Sequence, residues 1–371
     1  MGKKNLLFIL GSMDIGGVQS GIMNFAKLVD PEKIHIDILV HTNAIGFHEE
    51  AFKEYGEVYH IPLRLGSNKF LWPLFEIYNN ILFYNDLKIF LSKHQYDIVH
   101  SKSLGLSAMA VKAAKKVGVP IRIAQCHVDK PDHLNLFSRL CYWVWARIIE
   151  KNATCKLAVS PKAADLMFCR YGGRVIKNPT INLERFNPSK YPERPHAGIY
   201  IIQVGTYSRR KNQLFSVSVL NEIIKRGVAA KLTFVGYSLD EPTYIDEIKR
   251  TVDNYGLNGN VSFLPQNSDI PLLLSESDYM ILPSLREGLP NVALEAQAMG
   301  VPCFISDTVY QGTNSGLCEF LSLDDGSEKW AEHIIAYREK HGSGKHYIDM
   351  SQWDNRTVVK EYIRIWNGEK Q

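Results

Sequence analysis

No run of apolar residues in this sequence approaches the ~18 that a membrane-spanning helix needs, so no spanning segment is expected. The six cysteines, at positions 126, 141, 155, 169, 303 and 318, include no C-x-x-C pair, which speaks against a structural zinc site. No G-x-G-x-x-G follows the first apolar segment, which argues against a nicotinamide-dependent dehydrogenase. Solenoid-period repeats and low-complexity tracts are also missing. Two lysines precede the apolar run Leu6–Leu10, but that run is shorter than the ~7–15 residues of a secretory signal core, and Asp14 follows closely. The run reads as a first buried strand, and the expectation is a cytoplasmic protein with reduced cysteines.

What is present suits two globular domains. The chain has 371 residues, 45% hydrophobic and 22% charged, enough for two cores and too many for one ordinary domain. Short apolar runs alternate with amphipathic ones. NLLFIL, IHIDILV, DIVH, IRIAQC and CKLAVS read as strands, and so do IYIIQVG, KLTFVG, VSFLP, DYMILP and PCFIS. Helices are expected over 18–29, 105–117, 212–226, 243–255 and 291–300. This alternation predicts an α/β fold of two doubly wound parallel sheets. Three prolines and a glycine in FNPSKYPERPHAG (186–198) mark a linker. The charge also divides. Residues 1–185 carry 24 Lys and Arg against 16 Asp and Glu, while the rest carry 19 against 23, so +8 faces −4. A basic half can meet nucleic acid, an anionic lipid surface or a phosphorylated substrate, and an unevenly charged solvated surface accounts for the number equally well.

In doubly wound sheets ligands sit at the carboxyl ends of strands, which gives weight to MILPSLREGLPNVALEAQAMGVPCFIS (280–306). An apolar strand leads into a loop with Glu287 and Gly288, and Pro290 can open the next helix. Gly288 lets backbone approach a ligand, and a helix N-terminus beyond it suits a diphosphate. Glu287 and Glu295 are eight residues apart, roughly 12 Å along a helix, too far for one metal or a shared proton. That spacing suits two carboxylates gripping hydroxyls of separate sugars, although an E-x7-E pair by itself also describes a solvated helix.

The segment EGLPNVALEAQAMGVPCFISD resembles the E-x7-E signature of the family-4 retaining glycosyltransferases, whose fold is GT-B. The resemblance implies that Glu295 binds the nucleotide ribose, that Glu287 lies by the donor sugar, and that Gly288, Leu289, Pro290 and Asn291 approach sugar and phosphate. LGSMDIGGVQSGIMNFAKLVD (10–30) resembles the family's opening glycine loop, which puts Gly16 and Gly17 near donor phosphate or acceptor. RIAQCHVD (122–129) resembles the strand that ends in a histidine by the reaction centre, here His127. KNPTINLERFNP (177–188) resembles the inter-domain segment, with Pro179 and Asn182 departing from its usual residues. IIQVGTYSRRKNQ (201–213) resembles the G-R-x-x-x-x-K segment and assigns Gly205 and Lys211. Thr206 stands where the family has arginine, and Arg209 or Arg210 would have to supply the guanidinium. FLPQNSDI (263–270) resembles the nucleobase loop, with Pro265 and Gln266. Asp324–Asp325, in SLDDGS, reads as a solvated turn rather than a metal pair.

The resemblance implies an N-terminal acceptor domain over 1–185, a donor domain over 186–352, and a C-terminal helix over 353–371 that crosses back to the first. The implied activity is hexosyl transfer from a nucleotide-sugar, with UDP expected, to a lipid-linked or other glycan in exopolysaccharide or capsule synthesis. Lys211, Glu287 and His127 are the expected catalytic residues, with no metal requirement. Nucleic acid is not an expected partner. The alternatives are a nucleotide-sugar epimerase of similar architecture and a catalytically weak nucleotide-binding partner subunit, which Thr206 would favour. Two aromatic stretches of the basic half, 70–91 and 133–151, could lie on the inner face of an anionic membrane or be buried helices.

Overall fold

The computed structural model describes residues 2–14, 16–62, 72–103, 105–127, 136–191, 196–238, 243–342 and 345–369, with side chains in 72–77 left aside. The chain forms two compact units, one of Met1–Thr180 with Asn355–Gln371, the other of Ile181–Asp354. Of the proposed linker, 186–191 belongs to the second unit and 192–195 lies outside the described residues.

The first unit begins with β1 (Lys4–Leu10), α1 (Gly17–Leu28), β2 (Ile34–Val40), α2 (Glu49–Phe52), β3 (Val58–His60) and α3 (Trp72–Lys93). It continues through β4 (Ile98–Ser101), α4 (Leu106–Lys116), β5 (Ile121–Cys126), α5 (Leu136–Asn152), β6 (Cys155–Ala158), α6 (Pro161–Phe168) and β7 (Arg174–Val175). The second contains β8 (Ile199–Val204), α7 (Gln213–Lys225), β9 (Ala230–Gly236), α8 (Tyr244–Asn254), β10 (Val261–Pro265) and α9 (Ile270–Ser275). After these come β11 (Tyr279–Leu282), α10 (Asn291–Ala298), β12 (Cys303–Ser306), β13 (Cys318–Leu321) and α11 (Gly326–His341); α12 (Asn355–Trp366) then returns to the first unit. The five helices expected from periodicity are α1, α4, α7, α8 and α10.

Each unit holds one parallel sheet, ordered β3-β2-β1-β4-β5-β6-β7 in the first and β10-β9-β8-β11-β12-β13 in the second. Parallel strands buried on both faces need apolar residues at successive positions, and β1 has them. Its Leu6, Phe8 and Leu10 pack toward α1 and α12, while Leu7 and Ile9 pack toward α3 and α4. The second sheet repeats the arrangement, with Ile199 and Ile201 in one core and Ile202 in the other. Asp324 and Asp325 are exposed in a short turn capped by Ser322, whose Oγ accepts from Asp324 N–H at 3.4 Å.

The return of α12 completes the first core. Tyr362 and Trp366 are wholly buried, their rings 4.8 and 5.0 Å from that of Phe25. Lys4 Nζ donates to the Trp366 carbonyl at 3.0 Å, and Arg174 pairs with Glu361. Trp366→Ala should therefore lower the stability of the first unit by about 3–5 kcal/mol, the usual loss for a large aromatic side chain removed from a core. Urea unfolding of the full chain would measure it, and an unchanged midpoint would show that α12 is not part of that core.

Candidate active site

In the second sheet the winding direction reverses beside β8, leaving a crevice at the carboxyl ends of β8 and β11. Two loops meet there. The one after β8 carries Gly205, Thr206 and a short turn over Arg209–Lys211; the one after β11 carries Glu287 through Pro290. Leu285 N–H donates to the Arg210 carbonyl at 2.8 Å and joins them. Gln203, buried on β8, donates to the Lys211 carbonyl at 2.8 Å and accepts from Ser216 at 2.7 Å, so the turn is anchored from beneath. Asn212 ends it in the left-handed region at φ 55. Gly205 has φ 151, and a Cβ there would lie 3.2 Å from Lys211 Cε; glycine leaves the lysine its path.

The loops bring three charges together. Lys211 Nζ lies 2.7 Å from Glu287 Oε1, and Arg210 Nη1 lies 3.2 Å from Oε2. The Lys211 and Glu287 side chains are only 12% and 11% exposed. Burial raises the Glu287 carboxyl, but the charges of Lys211 and Arg210 outweigh it and hold the group below the usual range. Arg209 instead turns to α8, with Nη2 2.6 Å from Glu247 and its guanidinium over Tyr244. Of the two arginines that could stand in for Thr206, Arg210 is the one placed at Glu287. Thr206 carries no charge to the cluster, and its carbonyl accepts from Gln213 at 2.9 Å.

Glu295, on α10, has the opposite surroundings. Among the described residues its carboxylate has no hydrogen-bond or ion-pair partner. Burial pushes its pKa up to about 7, against a weaker opposing influence from Arg185. Leu289 packs beside Leu294, Pro290 precedes the first residue of α10, and Gly288 and Asn291 are half-buried next to them. Pro265 ends β10, two strands from β8 at the same end of the sheet, and Gln266 follows in an exposed turn.

Gly16, Gly17 and His127 belong to the first unit. Gly16 precedes α1, which Gly17 opens, at the carboxyl end of β1. His127 follows β5, with Nε2 3.1 Å from Lys102 Nζ and Nδ1 3.3 Å from Asn178 Nδ2. Lys102 was not anticipated from the sequence, although a lysine directly after the buried strand DIVHS was a usable signal. Among the described residues no group of three or more His, Cys, Asp or Glu side chains is arranged to hold a metal ion.

Comparison with known proteins bears on the family of the chain. Residues 15–181 match the model described as Glycosyltransferase Family 4, and residues 186–315 match Glycosyl transferases group 1. EpsF of Bacillus subtilis (strain 168), named as a glycosyltransferase, is 28% identical over 98% of this chain and 97% of its own length. CapH of Staphylococcus aureus, a capsular polysaccharide biosynthesis glycosyltransferase, is 26% identical over 97% of this chain and 98% of its own. The UDP-Gal:alpha-D-GlcNAc-diphosphoundecaprenol alpha-1,3-galactosyltransferase of Escherichia coli is 26% identical over 62% of this chain and 64% of its own. Among solved structures, Anabaena Alr3699/HepE, crystallised with UDP and glucose, superposes with a TM-score of 0.74 at 18% identity, covering 99% of this chain and all of that one. Two winding parallel sheets and these matches along most of the chain lead to one conclusion: it belongs to the GT-B glycosyltransferases of the group 1 and family 4 type.

Proposed function

We propose that this glycosyltransferase is a retaining enzyme that moves a sugar from a UDP-linked donor to a hydroxyl of a lipid-linked glycan. The carrying observation is the contrast between its two carboxylates: Glu287 is held by two cations, and Glu295 is a half-buried acceptor with no hydrogen-bond or ion-pair partner among the described residues. Glu295 suits the two ribose hydroxyls, and Pro265 and Gln266 suit the base. Gly288 to Asn291 then run along sugar and phosphate. Lys211 and Arg210 lie where negative charge gathers on the departing diphosphate, and fixed cations favour that charge in the transition state. A carboxylate already engaged by two cations is a poor nucleophile. The acceptor oxygen therefore bonds to the anomeric carbon on the face the diphosphate leaves, and its proton passes to a β-phosphate oxygen. Gly16, Gly17 and His127 would serve the phosphate and acceptor side from the first unit. The UDP and undecaprenol diphosphate in the E. coli relative's name support the choice of donor and acceptor.

A lipid-linked acceptor calls for a protein that works at a membrane, and no described helix is long and apolar enough to cross one. The two aromatic stretches each divide into a core face and an outer face. Phe83, Leu87 and Leu91 of α3 and Trp145 and Ile149 of α5 are buried. Tyr78, Ile81 and Ile89 of α3 and Leu136, Leu140, Trp143 and Val144 of α5 are exposed. Phe70 and Leu71 lie outside the described residues, as do the side chains of Trp72 and Phe75. Between α3 and α5 lies α4, whose Lys112, Lys115 and Lys116 are exposed. Lys112 Nζ stands 5.1 Å from the Tyr84 ring centre, and the Arg147 guanidinium 4.5 Å from that of Trp143. Apolar and basic groups on one helical layer suit an anionic headgroup surface.

Two outcomes follow. If Glu295 receives the ribose as a carboxylate, UDP affinity should rise about tenfold between pH 6 and 8 as a group of pKa about 7 ionises, and Glu295→Gln should abolish that dependence. Calorimetry with UDP decides; an equal pH slope in the variant removes Glu295 from the site. Co-sedimentation with anionic liposomes should be strong at low salt and weak at high salt, each basic contact contributing about 1 kcal/mol. Protein that stays in the supernatant at low salt would point to a soluble acceptor.

A further inference from the structure

Lys102 is buried at the carboxyl end of β4, where its Nζ donates to Gln125 Oε1 at 2.8 Å and lies 3.1 Å from His127 Nε2. The rings of Phe8, Phe25 and Tyr362 surround it at 5.6 to 5.8 Å. Among the described residues no carboxylate pairs with it. A lone buried ammonium is strongly unfavourable, and core lysines ordinarily bring an acid with them. Groups kept at such a cost mark functional sites. We propose that Lys102 and His127 form a phosphate subsite of the first unit, sharing one positive charge that binds the diphosphate of a substrate. The subsite rests on the glycosyl-transfer reading only for the origin of that diphosphate.

The surrounding hydrogen bonds leave one place for the charge to move. Trp366 Nε1–H can only donate, and its partner at 3.3 Å is His100 Nδ1, so the His100 proton sits on Nε2. That proton is donated to Gln125 Oε1 at 2.9 Å, and Gln125 Nε2 donates to the Tyr362 hydroxyl at 2.7 Å. His100 and Gln125 are thus locked and neutral. His127 is different: it is the half-buried member of the cluster, with Nδ1 facing the amide of Asn178. Asn178 Oδ1 is buried with no hydrogen-bond partner among the described residues. In one orientation of that amide, Nδ2 donates to His127 Nδ1, the imidazole proton is on Nε2, and Lys102 is a neutral amine that accepts it. Reversing the amide lets Oδ1 accept from Nδ1–H, and His127 Nε2 then accepts from a Lys102 ammonium. The two states differ by one proton, and an anion beside His127 favours the second. Burial pushes the Lys102 ammonium well below the ordinary lysine range, which brings the neutral state within reach. Burial, with the charge of Lys102, likewise keeps His127 well below the usual imidazole range.

Calorimetry of the full chain with inorganic pyrophosphate tests the subsite, in a background carrying both Arg210→Ala and Lys211→Ala so that the second unit's two cations do not contribute. Lys102→Met should weaken pyrophosphate binding at least tenfold while thermal stability stays equal or rises, because an apolar side chain replaces a lone buried amine. Lys102→Arg should keep most of the binding. Lys102→Gln gives the same comparison if the methionine variant does not fold. No pyrophosphate binding by the parent, or unchanged binding in a folded Lys102→Met or Lys102→Gln protein, would overturn the proposal. A raised KM for the nucleotide-sugar would assign the diphosphate to the donor, and a raised KM for the glycan would assign it to the acceptor. UDP affinity that ignores Glu295 would sink the donor reading without touching the pyrophosphate result.

Discussion

The contact between Lys211 and Glu287 at 2.7 Å organises the second unit's site. Both groups are nearly buried, so each has lost much of its hydration, and the attraction between them offsets a desolvation cost rather than adding much stability. What the contact does secure is position. Because Lys211 ends a turn anchored by Gln203, and Glu287 follows a wholly buried strand, the pair fixes two loops against each other at the point where the sheet changes winding. Arg210 joins from the same turn, leaving an excess of one positive charge. On the proposed donor site, a diphosphate would meet cations already fixed in place, the condition under which electrostatic stabilisation is most effective.

The two units use one scaffold with different charge logic. In the second, a carboxylate pairs with two cations, and a further carboxylate has no hydrogen-bond or ion-pair partner among the described residues. In the first, a buried lysine has neutral amide, imidazole and aromatic neighbours. Both arrangements stand at carboxyl strand ends, where parallel sheets place their ligand-facing residues. The helical layer of α3, α4 and α5 adds a third kind of surface, apolar and basic together, on the same unit as the unbalanced lysine.

Much of this was legible in the sequence because it is local. Strand and helix periodicities gave the tandem sheets, and the segment 280–306 carried Glu287, Gly288 and Glu295 within one strand, loop and helix. Charge geometry across loops was not legible. Arg209 and Arg210 are adjacent, yet one faces Glu247 on α8 and the other Glu287 after β11, a difference set by the turn they occupy. The Gln125–Tyr362 and His100–Trp366 contacts join residues more than two hundred positions apart, and only the return of α12 brings them together. The aromatic stretches left core and surface undecided because apolar side chains occupy both sides of each helix.

The central claim is that Lys211 acts on the charge that grows on the leaving diphosphate. Steady-state kinetics of Lys211→Ala with the preferred nucleotide-sugar, beside the affinity of the same variant for UDP, tests it most directly. The account predicts a loss on the order of 10²–10³ in kcat, the usual consequence of removing one fixed electrostatic donor, with a much smaller change in UDP affinity. A folded variant with near-normal kcat would contradict it and place the leaving-group charge elsewhere.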